Sequence, residues 1–131
     1  MFKRIDHVEV ITDEPERTVE FYTAILGFKV RNRDHVERSS TGTPIDLVYL
    51  ELGGTTVELI TYDGENVAPA PRGLHLGYNL IALEVEDMDK AVAFLKTKGV
   101  DVIWGPRRRE HSVRAEIADP NGYRIELRQW F

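Results

Sequence analysis

The chain contains no cysteine. That excludes disulfides, thiolate nucleophiles and cysteine-ligated zinc, and it fits a reducing compartment. No apolar run approaches the length needed to span a bilayer. The opening MFKRIDHVEV runs straight into a strand pattern, which leaves no room for a secretory leader. The expectation is a cytoplasmic protein with no membrane partner. Positive charge is also short: 17 Lys and Arg stand against 22 Asp and Glu, a formal net charge of −5. A nucleic-acid binder would show a basic face, so nucleic acid is not an expected partner. No stretch is low-complexity or polar enough to read as disorder. What is present, 131 residues with 42% hydrophobic content, suffices for one ordinary core.

The most informative feature is a repeat. HVEVITDEPERTVEFYTAILGF (7–28) is answered by LIALEVEDMDKAVAFLKTKGV (80–100), and GGTTVELI (53–60) by NGYRIELR (121–128). His7 then falls on Leu80, Val19 on Val92, Phe21 on Phe94, Gly54 on Gly122 and Glu58 on Glu126. Each copy reads as strand, helix, variable stretch and a hairpin ending in Gly-x-x-(Val/Ile)-Glu-Leu. Duplication of this kind predicts a site built from equivalent positions of the two copies.

Residues 5–11 are rich in β-branched side chains and predict a strand. Asp13 is the expected N-cap of the first helix, with Pro15 and Glu16 in its first turn. Val19, Tyr22, Ile25 and Leu26 form its apolar face, and Gly27 its stop. In the second copy Asp87 caps, Met88, Ala91, Val92 and Leu95 pack, and Gly99 stops. Further strands are expected over 28–31, 47–52 and 55–62, then over 100–104, 113–118 and 123–129. Gly53-Gly54 and Pro120-Asn121-Gly122 are the hairpin turns. The division predicted is module one 1–62, linker 63–77 and module two 78–131. The fold class is α+β, two tandem βαβββ modules forming a concave mixed β-sheet site.

Period-two alternation assigns the strand faces. Val8, Val10, Val57, Leu59, Ile125 and Leu127 turn towards the helices. His7, Glu9, Ile11, Glu58, Ile60, Tyr62, Leu80 and Glu126 turn to the uncovered face. A carboxylate buried there needs a cation or a proton. Arg114, Arg124 and Arg128 are arginines able to supply that charge, and a metal ion is the alternative. The run Arg107-Arg108-Arg109 reads as a solvated loop or as a clamp for an anionic group. His75 and His111 are the loop histidines able to replace a missing ligand.

The phrases IDHVEV, ERTVEFYTAILGF, TTVELI, IALEVEDMDKAVAFL and ADPNGYRIELRQW resemble the vicinal oxygen chelate superfamily, across nearly the whole chain. Its members include glyoxalase I, extradiol dioxygenases and bleomycin-resistance proteins. The resemblance implies a glyoxalase-like fold and a homodimer. It also implies one divalent ion held by His7, Glu58, Glu126 and residue 80, here a leucine. His7, Glu58 and Glu126 are thus the expected metal ligands, with Glu126 or Glu58 doubling as proton shuttle. The ion would be Ni, Mn, Fe, Zn, Co or Mg. Such an ion acts as a Lewis acid on a substrate carrying neighbouring oxygens.

Glu9, Ile11, Ile60, Tyr62, Leu80 and Arg114 are the expected pocket lining. Ile11 and Tyr62 stand where glyoxalase I carries its glutathione-binding Arg and Asn, which argues against glutathione here. The leading expectation is a metal-assisted lyase or isomerase acting on a small oxygenated metabolite. The alternative is a metal-free small-molecule binder of the bleomycin-resistance kind. Dioxygenase chemistry ranks below both, because it normally uses two His.

Overall fold

The duplication in sequence is repeated in the hydrogen bonding. A computed structural model describes residues 1–131. It contains β1 (His7–Ile11), α1 (Pro15–Glu20) continued by a π-helical turn (Phe21–Ile25), β2 (Lys29–Val36), β3 (Ile45–Leu52) and β4 (Thr55–Tyr62). Then come β5 (Ile81–Glu84), α2 (Met88–Thr97), β6 (Trp104–Arg108), β7 (Ser112–Ala118) and β8 (Arg124–Trp130). The strands form two four-stranded mixed sheets of identical order, β1-β4-β3-β2 and β5-β8-β7-β6. In each, the first strand pairs parallel with the last and the others pair antiparallel. The chain divides into two compact units, Met1–Ala68 and Pro69–Phe131, each described by itself below. The stretch 63–77 carries no helix or strand. No helix is long and apolar enough to cross a membrane.

In the first unit Val10, Val48, Leu50, Val57 and Leu59 are buried on the helix side, together with Val19, Phe21 and Tyr22. Tyr22 is wholly buried, edge-on to Phe21 and Phe28 at 5.6 and 5.4 Å. A π turn closed by Leu26 N–H to the Phe21 carbonyl (3.2 Å) lets the adjacent Phe21 and Tyr22 both turn inward. A 3.6-residue period does not foresee that, so Phe21 is missing from the predicted apolar face. Val8, expected under the helix, is 36% exposed, because β1 is an edge strand that α1 covers only in part.

The expected cap is corrected too. Glu14, not Asp13, stands at the N-cap and makes no side-chain cap. The Thr12 hydroxyl accepts the Glu14 N–H at 3.0 Å instead.

In the second unit Ala115, Ile117, Ile125 and Leu127 are buried with Met88 and Leu95. Asp87 caps α2 as expected, accepting from Lys90 N–H at 3.0 Å. The expected strand over 100–104 begins only at Trp104. Val100 instead closes the helix, its N–H bonded to the Leu95 carbonyl while Gly99 N–H bonds Lys96. That is the paired C-terminal motif that places glycine at positive φ, here +72°. In the first unit β2 runs to Val36, well past the expected 28–31. Its polar run Asn32-Arg33-Asp34-His35 lies on an exposed edge, where alternation is lost.

Candidate functional site

The parallel pairing of β1 with β4 sets Glu9 beside Glu58, His7 beside Thr56 and Ile11 beside Ile60, all on the face without a helix. His7 is the centre of the resulting group. Its Nδ1 lies 3.0 Å from Asp6 Oδ2, and its Nε2 lies 3.4 Å from both Glu9 Oε1 and Glu58 Oε2. The ligand atoms of His7, Glu9 and Glu58 all lie within 4.8 Å of one another. Asp6 is itself held by Arg4 at 2.9 Å and titrates below the usual carboxylate range, chiefly through its bond to His7. An ionised carboxylate only accepts, so Nδ1 of His7 carries a proton and Nε2 is the atom turned to the two glutamates.

The electrostatics of this group are unbalanced. Glu58 is 7% exposed, and no Lys or Arg pairs with it. Burial pushes its carboxyl above the ordinary range; Glu9 and Asp6 add to the rise, and His7 offsets part of it. His7 is raised in turn, first by its bond to Asp6 and then by Glu9 and Glu58, against the desolvation that lowers it. Tyr49, opposite Glu58 on β3, is also raised by burial and by the Glu58 charge, and the Arg31 guanidinium lies 5.5 Å from its ring centre. Beyond the carboxylates this face turns apolar. Ile60 is buried with Ile45 and Leu47, and Tyr62 packs against them, while Ile11 is 42% exposed.

In the second unit the equivalent carboxylate is fully engaged. Glu126 Oε2 accepts from Arg114 Nε at 2.9 Å and from Arg114 Nη2, and Oε1 accepts from Arg128 Nε at 2.6 Å. Burial alone would raise its carboxyl, but the two guanidiniums outweigh that and hold it low. Arg124, the third arginine singled out in the sequence, pairs with Glu116 at 3.0 Å and with the Asn79 amide oxygen. Leu80, half-buried, precedes β5 by one residue and shares its alternation with Ala82, which pairs with Glu126. Ala82, Leu83, Glu84, Glu126, Arg128 and Trp130 line an open depression.

The site residues read from the sequence therefore fall into two sets. His7, Glu9, Glu58, Ile11, Ile60 and Tyr62 lie on one sheet, Arg114 and Glu126 on the other, and Leu80 directly before its first strand. The group that converges in the first unit is completed by Glu9, expected only as pocket lining. Asp6, the residue that orients His7, was not foreseen; its only signal was an acid directly before the histidine. The loop histidines are otherwise occupied. Both ring nitrogens of His75 lie 3.1 Å from backbone carbonyls, those of Gly73 and Tyr78, and His111 sits exposed beside Glu110.

Known proteins resemble the chain along nearly its whole length. A protein named lactoylglutathione lyase in Arabidopsis thaliana is 30% identical over 130 residues, 97% of this chain. The chain spans only 44% of that relative's length. A lactoylglutathione lyase of Neisseria meningitidis is 30% identical over 129 residues, covering 96% of this chain and 90% of the relative. The crystal structure of a glyoxalase family protein from Enterococcus faecalis superposes with a TM-score of 0.77 at 27% identity, over 97% of this chain and 98% of that one. The family profile described as Glyoxalase/Bleomycin resistance protein/Dioxygenase superfamily matches residues 4–127, taking in both helices and every strand but the end of β8. With the duplicated sheet order and the equivalent Glu58 and Glu126, this match makes the chain a member of the Glyoxalase/Bleomycin resistance protein/Dioxygenase superfamily.

Proposed function

We propose that the chain is a metal-assisted lyase or isomerase of small oxygenated metabolites. The observation that carries this reading is the position of His7 Nε2, 3.4 Å from two carboxylate oxygens with Nδ1 already committed to Asp6. A nitrogen lone pair turned on two carboxylates is repulsive unless a cation or a proton lies between them. His7, Glu9 and Glu58 are the residues that would hold a divalent ion, one imidazole and two carboxylates. Once bound, the ion supplies Lewis acidity at a substrate oxygen beside the carbon that loses a proton. Asp6 fixes the imidazole, as carboxylate partners of metal-bound histidines do. Glu58, buried beside the ion, would take up and return the proton at a carboxylate oxygen. The relatives named lactoylglutathione lyase support the reaction class. Glutathione as carrier is not part of the reading, since Ile11 and Tyr62 stand at the positions that would bind it.

Elemental analysis of protein purified without chelator or affinity-resin metal tests the reading. Stoichiometric metal, lost in His7→Ala, is the expected result. Protein that stays metal-free after incubation with Mn²⁺ or Ni²⁺ overturns it.

One observation favours a second reading. Glu126 is neutralised by Arg114 and Arg128 with no ion needed, as in a domain that only binds a small organic molecule. Metal-free protein that retains a small ligand through mild purification, identified by mass spectrometry, would select that reading. In both readings the working form is a homodimer, consistent with the exposed Ile11, Trp130 and Phe131. Light scattering at micromolar concentration checks it, and a strict monomer removes it.

A further inference from the structure

The uncovered face of the second sheet carries a row of arginines that the fold does not require. Arg107 on β6 pairs in register with Arg114 on β7, and Arg114 with Arg128 on β8. Like charges directly opposite one another destabilise a sheet. The corresponding residues of the first sheet are Asp34, Leu47 and Ile60, an exposed acid beside a buried apolar pair. The architecture thus requires no cation at this rung, and the second unit carries three there.

The row is built, and it carries excess charge. A bulge at Gly105-Pro106 shifts the register between Trp104 and Arg107, so both side chains emerge on the same face. Gly105 holds φ +78°, and a Cβ there would lie 2.6 Å from the Arg114 carbonyl oxygen, so the close approach needs glycine. The Trp104 ring then takes Arg107 at 5.4 Å and Arg114 at 5.7 Å, and the Trp130 ring takes Arg128 at 4.8 Å. Glu126 is the only carboxylate bonded to any of the three. Arg107 has no acidic partner, and Glu84, beside Arg128 in register, makes no ion pair with it. Three guanidiniums therefore face one bonded carboxylate. Arg128 commits only Nε to it, so its terminal nitrogens keep donors to spare beside the depression that Arg128 lines with Glu84, Glu126 and Trp130.

We infer that Arg107, Arg114 and Arg128 form a subsite for the oxyanion group, carboxylate or phosphate, of a small ligand. Planar guanidiniums match both groups with paired N–H donors. An anion seated across the row offsets the repulsion among the three guanidiniums. The subsite lies wholly in the second unit and stands whether or not His7 binds an ion.

The test uses the full chain freed of metal on a chelating resin. Trp104 and Trp130, the only tryptophans, both lie against the row, so intrinsic fluorescence reads it directly. Inorganic phosphate and propionate are titrated separately against chloride at constant ionic strength. A saturable change with either anion is expected, with affinity reduced roughly tenfold in Arg107→Gln, the loss of one charge-assisted hydrogen-bonding partner. Arg107 bonds no carboxylate, so this variant keeps the Glu126 cluster intact. Thermal unfolding should show the bound anion raising the midpoint of the wild type more than that of the variant. Which anion saturates distinguishes a carboxylate subsite from a phosphate subsite. No saturable change with either anion, an equal response to chloride, or unchanged affinity in Arg107→Gln overturns the inference. His7→Ala should leave the titration unaltered, which separates this outcome from failure of the metal reading.

Discussion

Glu58 and Glu126 hold the same place in the two sheets, each on the last strand beside the parallel first strand, yet their environments oppose each other. Glu58 pairs in register with Glu9 and has His7 as its one basic neighbour. Glu126 pairs with Ala82 and accepts hydrogen bonds from two arginines. Burial raises the first carboxyl, and guanidinium contacts hold the second down against the same burial. The same burial thus meets opposite electrostatic surroundings at two equivalent positions.

Their contributions to stability should therefore have opposite signs. A depressed folded pKa, as at Glu126, gives stability that is present above the unfolded value near 4.5 and is lost as pH falls through the folded pKa. A raised folded pKa, as at Glu58, means that stability falls as pH rises from near 4.5 through the folded value. In metal-free protein at neutral pH, Glu58→Gln should be neutral or stabilising. Glu126→Gln should cost about 2–3 kcal/mol, because it strands two partly buried guanidiniums. Urea denaturation of both variants at pH 7, 4.5 and 3 checks this, and a Glu126→Gln penalty undiminished at pH 3 would contradict it.

His7 should titrate above 6.5, with Asp6 the largest contributor to the rise. Stability from the protonated imidazole is complete below the unfolded pKa and is lost as pH climbs through the folded one. A proton NMR titration of metal-free protein should show the midpoint falling in Asp6→Asn, and falling less in Glu58→Gln. A midpoint that ignores Asp6→Asn would remove the orienting role given to that residue.

The parts of this molecule legible in sequence are those set by local chemistry. The hairpin at Asn121-Gly122, the Asp87 cap, the Gly27 and Gly99 stops and the β4 span all follow from turn, cap and alternation rules. Glu58 and Glu126 were found because the repeat aligns them. The parts that were not legible depend on tertiary context. The π turn at Phe21–Ile25 follows from burying two adjacent aromatics. The polar continuation of β2 from Asn32 to Val36 lies outside the expected strand because neither of its faces is covered. Glu9 reads as pocket lining until the parallel register brings it beside Glu58. The arginine row is invisible without the bulge, since Trp104 and Arg107 are three apart and alternation would place them on opposite faces.

Asp119 should prove the anchor of the second hairpin. It is 5% exposed, and its Oδ1 accepts the Asn121 and Tyr123 backbone N–H groups at 2.9 Å each. Asp119→Ala removes the carboxylate from those half-buried donors and should cost about 1–3 kcal/mol. Hydrogen exchange should show protection lost first at the start of β8. Equal loss across β1 to β4 would mean that the effect is not local.

Gly105→Ala gives the most direct test of how the second unit shapes its uncovered face. An added Cβ would meet the Arg114 carbonyl oxygen at 2.6 Å, and φ +78° is strained for any L side chain. The backbone of β6 must move, and with it Trp104, which stacks against Arg107 and Arg114. The expected result is a loss of about 1–3 kcal/mol and a changed near-ultraviolet circular dichroism band from Trp104. Far-ultraviolet content should stay unchanged, because β7 and β8 keep their own pairing. Gly54→Ala provides the comparison. It also has a positive φ, +79°, but no atom lies within 4 Å of a Cβ there, so it should show the backbone strain without the tryptophan signal. If both variants lose the same stability and neither alters the near-ultraviolet band, the close approach at Gly105 does not set the position of Trp104.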